Sequence, residues 1–374
     1  MDLSSLYNWV TAINPLQMAG SILMIAVGCV LIYLAIAKEF EPVLLLPIGF
    51  GCILANLGMS AYNEGSLFYY LYKAGIETEI FPLLIFIGVG AMIDFRPLIA
   101  QPKMVLLGAA GQFGIYGVLI LAVLIGLPIN EAAAIGSIGA IDGPTAIFVS
   151  SKLAPDLMAA IAVAAYSYMS LIPIIQPPIM KALTTKKERL VRMDYSPFPV
   201  SKKVVMMFPI VVTIVISLIA PSAAPLIATL MLGNLLKESG VVDRLNKAAQ
   251  NEIINISTLF LGLCIGSTMV AAKFLNTTTL WILGLGLLAF VLDTVAGTLF
   301  GKLMCLLSGF KINPLIGACG ISAFPMAARI SAKMAQEEDY DNFILMHAMG
   351  SNTAGQLGSV LAGGLLITLV AVFS

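Results

Sequence analysis

Long apolar runs alternate with short polar breaks along the whole chain. The hydrocarbon core of a bilayer requires a helix of about 20 residues. Five runs are close to this length, so they predict membrane-spanning helices. They cover residues 18–37, 105–127, 204–219, 280–300 and 357–372. Shorter apolar stretches that carry Gly or Pro lie between them and predict half-spans or broken helices. We expect an all-α polytopic membrane protein with about ten crossings.

The chain also contains an internal repeat. Residues 135–154, IGSIGAIDGPTAIFVSSKLA, align without gaps to residues 316–335, IGACGISAFPMAARISAKMA, at a shift of 181 positions (316 − 135). Identical Pro, Ser and Lys residues coincide in register, which argues against a chance match of two Gly- and Ala-rich stretches. Earlier in each half, Pro47, Asn56 and Leu57 match Pro225, Asn234 and Leu235 at a shift of 178 positions (225 − 47).

A repeat of about half the chain is typical of transporters, whose sites form at the repeat interface near the bilayer midplane. We predict a first transmembrane repeat over residues 1–180, a basic connecting loop over 181–203 and a second repeat over 204–374. We expect the two homologous repeats to be inverted, which requires an odd number of spans in each. Glycines followed by Pro and an Ala-rich run describe a helix that breaks and restarts. We expect the two broken helices to be interrupted near Gly139 and Gly320 and to meet near the membrane midplane.

Composition supports a membrane location. Of the 374 residues, 59% are hydrophobic, 11% are charged and the formal net charge is zero, whereas soluble domains are about 25% charged. Basic residues are densest in the connecting loop, which the positive-inside tendency assigns to the cytoplasm. Their local distribution argues against nucleic acid as a partner. Residues 1–17 lack the features of a signal peptide, so we expect the first span to be retained.

The sequence gives little indication of a transition-metal site or of a nucleotide-binding site. The cysteines are scattered singly without a C-x-x-C pair, and we interpret them as small core residues. They are Cys29, Cys52, Cys264, Cys305 and Cys319. The sole histidine, His347, is expected to pack or to form a hydrogen bond rather than to bind a transition metal. Without a Gly-rich phosphate loop, the chain is not expected to hydrolyse ATP.

Two carboxylates interrupt apolar stretches. Asp142 is costly to bury unless it is paired, protonated or bound to a cation. It is interpreted as a sodium ligand that can alternatively hold a proton, and also as the N-cap of the helix that restarts at Pro144; the two roles are compatible. Asp293 aligns with Gln112 at the 181-residue shift. For that pair, a structural polar contact and a role in an ion pathway are equally open.

The second repeat adds neutral oxygens. Asn313, Ser322 and Asn352, together with one carboxylate, suit sodium, whereas calcium would gather several carboxylates. Arg329 lies seven residues after Ser322, which would place the two about two turns apart on one helical face. An arginine there would meet an anion, or would form a salt bridge or reach to the interface. Tyr168 could pass a proton, although packing is favoured by the sequence alone.

Four segments together resemble the β subunits of the biotin-dependent, sodium-pumping decarboxylases for oxaloacetate, methylmalonyl-CoA and glutaconyl-CoA. They are KEFEPVLLLPIGFGCILANL, IGAIDGPTAIFVSSKLAP, NPLIGACGISAFPMAAR and NFILMHAMGSNTAGQLGSVLAGG. The resemblance spans essentially the whole chain. It implies a carboxybiotin decarboxylase in a prokaryotic cytoplasmic membrane, which exports sodium and consumes an external proton. It also implies a carboxyltransferase α subunit, a biotin carrier protein, a small γ or δ membrane subunit and a homo-oligomer.

The resemblance also assigns residues. The catalytic set that it implies is Asp142, Tyr168, Ser322 and Arg329, with Arg329 also binding carboxybiotin. The sodium ligands that it implies are Asp142, Asn313, Gly317, Ser322 and Asn352. One local departure is Ser351, where the family pattern has proline; serine frees a backbone amide and loosens the turn. A stand-alone sodium-coupled transporter or sodium/proton antiporter is the alternative function, and a membrane scaffold without enzyme activity is a third.

Overall fold

The protein, described by a computed structural model over residues 15–193 and 200–373, is all-helical, with no strand in these ranges. The all-α prediction is therefore confirmed. The prediction about a signal peptide falls mainly on residues 1–14, which lie outside the described residues.

The chain folds into two compact units, each built from two stretches of sequence. The first contains Met1–Phe81 and Thr258–Trp281, and the second contains Pro82–Ser257 and Ile282–Ser374. Each unit therefore combines residues from both halves of the chain. The predicted repeat boundaries, which follow the sequence rather than these units, stay a prediction.

The first unit contains two long neighbouring helices. Pro15–Ala37 packs against Pro42–Asn56, and their backbones approach so closely that a side-chain carbon on Gly28 would lie 2.7 Å from the carbonyl oxygen of Gly49. Shorter helices in this unit are Leu67–Tyr72 and Ala271–Phe274, with a π-helical turn at Lys73–Glu77. Helices that continue from one unit into the other are Ile80–Met92, Ile254–Ser267 and Thr277–Leu307.

The second unit holds most of the polar groups buried within apolar segments. Its α-helices are Arg96–Ala100, Met104–Ala110, Phe113–Leu124, Ile129–Gly136, Gly143–Leu153, Met158–Leu183, Lys186–Arg189, Lys202–Ile219, Ala224–Ser239, Asp243–Ala248, Met326–Glu338 and Leu345–Phe373. Its 3-10 turns are Ser137–Ala140, Pro155–Leu157, Pro221–Ala223 and Pro314–Gly320, and a π-helical turn covers Ala249–Ile253.

All five long apolar runs lie on helices of membrane-spanning length. Seven described helices are long and apolar enough to cross a bilayer, and one bent pair would raise the number to eight. The predicted number of about ten stays a prediction, because the shorter apolar helix Pro42–Asn56 is not in this count. Two of the seven, Pro155–Leu183 and Asp243–Ser267, were missed. Prolines interrupt the apolar pattern of the first, and polar residues interrupt that of the second.

Both repeated sequences form interrupted helices, as predicted. In the first interrupted segment, residues 129–153, a 3-10 turn ends at Ala140 and a new helix begins at Gly143. Between them, Ile141 adopts a left-handed conformation with φ of 51°, which is unfavourable for a β-branched residue and recurs at functional sites. In the second interrupted segment, residues 314–338, a 3-10 turn ends at Gly320 and a helix begins at Met326.

Matching asparagines of the two repeats make reciprocal contacts. Asn56 donates a hydrogen bond to the carbonyl oxygen of Met269 at 2.8 Å, and Asn234 donates to that of Ile93 at 3.1 Å. In each case an asparagine of one repeat binds the backbone of the other. Such reciprocity is expected when two similar halves are related by pseudo-two-fold symmetry. The inverted orientation of the repeats stays a prediction.

Candidate functional site

The two interrupted segments touch directly. The hydroxyl of Ser322 donates to the carbonyl oxygen of Ala140 at 2.7 Å, and its backbone N–H contacts the same oxygen at 3.2 Å. Ser322 is buried. The predicted meeting of the two breaks is therefore confirmed, whereas their depth in the membrane stays a prediction.

Asp142 lies at this junction and is 6% exposed. It occupies the N-cap position of Gly143–Leu153, but its side chain forms no capping hydrogen bond. One carboxylate oxygen, Oδ2, instead accepts hydrogen bonds from the Thr145 hydroxyl at 2.7 Å, the Gln356 amide at 2.8 Å and the Ser359 hydroxyl at 2.9 Å. No cationic side chain among the described residues lies within ion-pair distance. The carboxylate is thus held by neutral donors, which stabilise its negative charge.

The residue after Asp142 must be glycine. A side-chain carbon on Gly143 would lie 2.1 Å from the ring of Tyr166, which is a fully buried residue. The aromatic ring therefore packs directly on the backbone beside Asp142. This contact fixes the restart of the helix.

Three amide side chains hold the backbone of the second interruption. Each amide nitrogen donates to a carbonyl oxygen that the broken helix leaves free, and each belongs to a buried residue. The pairs are Gln176 with Ala318 at 3.0 Å, Gln112 with Gly320 at 3.0 Å and Asn352 with Ile321 at 2.6 Å. These bonds satisfy backbone groups that would otherwise be costly at membrane depth.

The oxygen atoms of the same three amides are left without partners. Within the described residues, Oε1 of Gln112, Oε1 of Gln176 and Oδ1 of Asn352 are buried and accept no hydrogen bond. Buried acceptors of this kind are costly unless something binds them. They give the second interruption a set of neutral oxygen atoms that could coordinate a hard cation.

One helix connects the two interruptions. In Leu345–Phe373, Asn352 donates to the second interrupted segment, and Gln356 donates to Asp142. Residues four apart lie on the same face of a helix. A small shift of this helix would therefore change the surroundings of both interruptions together.

Two predicted sodium ligands are engaged in other contacts. The Asn313 amide donates to the carbonyl oxygens of Arg189 and Val191 at 2.9 and 2.8 Å, and its oxygen accepts the N–H of Leu315 at 3.1 Å. All polar groups of this side chain therefore bind the connecting loop and its own turn. Gly317 packs its backbone against that of Gly297, with no room for a side chain.

Tyr168 and Arg329 also lie in other surroundings. The Tyr168 hydroxyl donates to the carbonyl oxygen of Leu283. Arg329 is exposed, and no described acidic residue pairs with it. The predicted two-turn spacing from Ser322 was wrong, because the helix begins only at Met326 and Ser322 lies before it.

Several residues of the site were missed from the sequence. Thr145 lies three positions after Asp142, and Gln356 lies in the polar stretch GSNTAGQ, so both carried a local indication. Gln176 lies within a proline-containing apolar run that gave none. The contacts of these residues depend on packing between distant parts of the chain, which no local pattern records.

The cysteines and the histidine largely follow prediction. Four cysteines are buried, whereas Cys29 is exposed, so its assignment to the core was wrong. Nδ1 of His347 forms a hydrogen bond with Oε1 of Gln101 at 3.1 Å. The described residues contain no group of three His, Cys, Asp or Glu side chains that could hold a metal.

The connecting loop is clamped to the end of the second interrupted segment by ion pairs. Arg189 pairs with Glu338 at 2.7 Å, and Arg192 pairs with Asp339 at 2.7 Å. These four residues form what we call the loop clasp. Hydrogen bonds from Arg192 lower the pKa of the Asp339 carboxyl, and those from Arg189 lower the pKa of Glu338.

The fold and the site together define a class of protein. It is an all-helical, multi-pass membrane protein with a buried carboxylate between two interrupted helices. The model of the family described as Na+-transporting oxaloacetate decarboxylase beta subunit matches residues 20–370. The chain belongs to this family. It is accordingly a multi-pass protein of the inner membrane and one of the membrane subunits of sodium-transporting decarboxylases.

Named relatives come from three kinds of decarboxylase. Methylmalonyl-CoA decarboxylase subunit beta of Veillonella parvula is 54% identical over 351 residues, covering 94% of this chain and 93% of the relative. Glutaconyl-CoA decarboxylase subunit beta of Acidaminococcus fermentans is 54% identical over 352 residues, with the same coverage. Oxaloacetate decarboxylase beta chain of Klebsiella pneumoniae is 47% identical over 415 aligned positions, covering 94% of this chain and 95% of the relative.

Proposed function

We propose that this chain decarboxylates carboxybiotin delivered by a biotin carrier protein, and that it couples the reaction to sodium export and proton consumption. The observation that supports this most directly is the buried Asp142 carboxylate at the contact between the two interrupted segments. Sodium transport needs a site that can hold one positive charge away from water, and a carboxylate surrounded by neutral oxygen atoms suits a hard monovalent cation.

The proposed sodium ligands are Asp142, Asn313, Gly317, Ser322 and Asn352. Asn352 has the strongest individual support, because its buried Oδ1 has no partner within the described residues. The Oδ1 of Asn313 accepts the N–H of Leu315, so a sodium ion would use the remaining lone pair of this oxygen or displace that N–H. The amide nitrogen of Asn313 would keep its bonds to the connecting loop.

The chemistry requires a proton as well as a cation. Loss of CO2 from carboxybiotin breaks the N–C bond and leaves the electron pair on the ureido nitrogen, which must then be protonated. We propose that sodium arriving at Asp142 displaces a proton from it, and that this proton reaches the biotin by way of Tyr168. Arg329 would bind the carboxylate of carboxybiotin. Because Arg329 is exposed, it would be accessible to a carrier-borne substrate.

Partners follow from the same proposal. A carboxyltransferase α subunit would load the biotin carrier protein, and a small γ or δ membrane subunit and further copies of this chain would complete the complex. Co-purification tests this arrangement. A biotinylated partner supports it, whereas full sodium transport by the chain alone would support the stand-alone transporter instead.

The residue-level test is Asp142→Asn. The substituted amide can offer its oxygen to the same three donors, so we expect the protein to fold. Sodium-dependent decay of carboxybiotin, measured on the purified protein in detergent, should fall by at least tenfold because the negative charge that attracts sodium is gone. Thr298→Val serves as a matched control, since Thr298 is a buried hydroxyl that, among the described residues, donates only to the carbonyl oxygen of Thr294 in its own helix. Normal sodium activation in Asp142→Asn would show that the assignment is wrong.

A further inference from the structure

Asp293 is a second buried carboxylate, and the proposed mechanism does not use it. It is 1% exposed. Its Oδ1 accepts a hydrogen bond from the backbone N–H of Gly114. Within the described residues, its Oδ2 accepts none.

The free oxygen faces the first interrupted segment. A side-chain carbon on Gly139 would lie 2.8 Å from Oδ2 of Asp293, so this oxygen packs against the glycine backbone. Gly139 lies three residues before Asp142 on the same segment. Movement of the first interruption would therefore change the surroundings of Asp293 directly.

The first repeat has a neutral residue, Gln112, at the position equivalent to Asp293. Gln112 and Asp293 are 181 positions apart, and so are Gly139 and Gly320. Gln112 of the first repeat contacts Gly320 of the second, and Asp293 of the second contacts Gly139 of the first. The two contacts are reciprocal. In one of them a neutral amide meets the backbone of the interruption, so the contact itself does not require a carboxyl group.

A carboxylate with a single donor is costly in these surroundings. Among the described residues, no Lys, Arg or His lies within ion-pair distance of Asp293, and an isolated buried charge is strongly disfavoured. A bound proton would remove that charge. The N-terminus of Phe113–Leu124, whose second residue donates to Oδ1, would instead favour the anion. Opposing influences of this kind suit a group that both binds and releases a proton.

We propose that Asp293 is a proton-exchanging site, which holds a proton in the sodium-free protein and releases it when sodium binds. The inference rests on the proposed function in one respect, namely that sodium is the transported ion. The linkage acts through the first interrupted segment, which carries both Asp142 and the glycine that touches Asp293.

The ionisable groups on the neighbouring elements are few. They are Tyr116 on the helix that donates to Asp293, Glu131, Asp142 and Lys152 on the first interrupted segment, and Lys302 and Cys305 on the helix of Asp293 itself. In the described part of the chain, none of them hydrogen-bonds to Asp293. Proton exchange at Asp293 can therefore be assigned by removing this carboxyl alone.

The experiment measures proton release rather than catalysis. Sodium chloride is added to the purified full-length protein in weakly buffered, sodium-free detergent solution, and released protons are counted with a pH-sensitive dye. Asp293→Asn should release about one proton fewer per chain than the wild type. It should still fold, because an amide occupies the equivalent position in the first repeat. Thr298→Val, five residues further along the same helix, should release as many protons as the wild type.

Infrared difference spectroscopy on the wild type provides a second measurement that does not depend on the variant folding. Sodium addition should remove the carbonyl band of a protonated carboxylic acid, and Asp293→Asn should lack part of that signal. Equal proton release in Asp293→Asn and wild type, or a sodium difference spectrum without any acid band, would overturn the inference. Normal proton release by a protein that does not decarboxylate carboxybiotin would overturn the proposed function alone.

Discussion

At the scale of single residues, some properties of Asp142 can be predicted from the sequence and others cannot. Its burial, its place at a helix break and its position beside a glycine and a proline follow from local sequence. Its three donors do not, because two of them lie more than 200 positions away. Only the packing of Leu345–Phe373 against the first interrupted segment brings them to one oxygen atom.

Gly143 gives a residue-scale prediction. Gly143→Ala should lower the apparent melting temperature of the detergent-solubilised protein, because the new methyl group would overlap the buried ring of Tyr166. Overpacking of this kind typically costs about 1–3 kcal/mol. Gly284→Ala is the matched control, since its added carbon meets no atom within 4 Å. Alanine is favoured over glycine within a helix by roughly 0.8–1 kcal/mol, so the two substitutions should have opposite signs.

If Gly143→Ala melted at the wild-type temperature, the ring of Tyr166 could not be packed on this backbone as described. Sodium activation measured on the same preparations would add a second comparison. Gly284→Ala should retain it, whereas Gly143→Ala should weaken it through displacement of Asp142.

At the scale of elements, the repeat predicts both interrupted segments and their mutual contact. Prolines and glycines determine where such helices can break, so local chemistry is sufficient. The bonds by which amides satisfy the second interruption were not predicted, because Gln112, Gln176 and Asn352 come from three distant parts of the chain. Arg329 illustrates a related error: a helical spacing was applied across residues that are not helical.

The loop clasp gives an element-scale prediction about pH. Asp339 and Glu338 have pKa values lower in the folded protein than in the unfolded chain, because their arginine partners stabilise the carboxylates. Their contribution is therefore present at neutral pH and is lost as the pH falls through the lowered pKa values. Amide hydrogen exchange in residues 184–193, corrected for the intrinsic rate, should rise at acidic pH relative to neutral pH.

Asp339→Asn should raise the same exchange at neutral pH, since it removes one charge of the clasp. Asn342→Ala provides a comparison that does not titrate, because Asn342 holds the carbonyl oxygen of Arg189 through a neutral amide at 3.0 Å. Its effect on exchange should be independent of pH. Protection in wild-type residues 184–193 that did not change on acidification would contradict the role of the ion pairs.

At the scale of the whole molecule, the class of protein was easier to predict than the topology of its helices. Low charge and long apolar runs identify a polytopic membrane protein, because the bilayer imposes a length and a polarity on every span. The number of spans is harder to predict, since a short helix and half of an interrupted helix have the same apolar composition. The assembly of each compact unit from both halves of the chain is a property of packing alone.

The spanning helices differ greatly in length. Thr277–Leu307 contains 31 residues and is about 46 Å long, whereas Lys202–Ile219 contains 18 and is about 27 Å long. The hydrocarbon core of a bilayer is about 30 Å thick. The longer helix must therefore tilt or emerge into the polar region, where Lys302 near its end donates to the carbonyl oxygen of Leu183 at 3.1 Å and pairs with Glu188 at 3.4 Å.

This difference makes the protein sensitive to hydrophobic mismatch. A thicker bilayer would exceed the apolar length of Lys202–Ile219 first, while Thr277–Leu307 would simply become more upright. Activity can be measured after reconstitution into phosphatidylcholines of different acyl length. We expect it to fall at a smaller change of thickness in thicker bilayers than in thinner ones. Equal activity in all of these lipids would contradict this prediction. Membrane thickness would then act on the protein through its shortest spanning helix, and lipid composition would set how easily that helix accommodates motion of the helices around it.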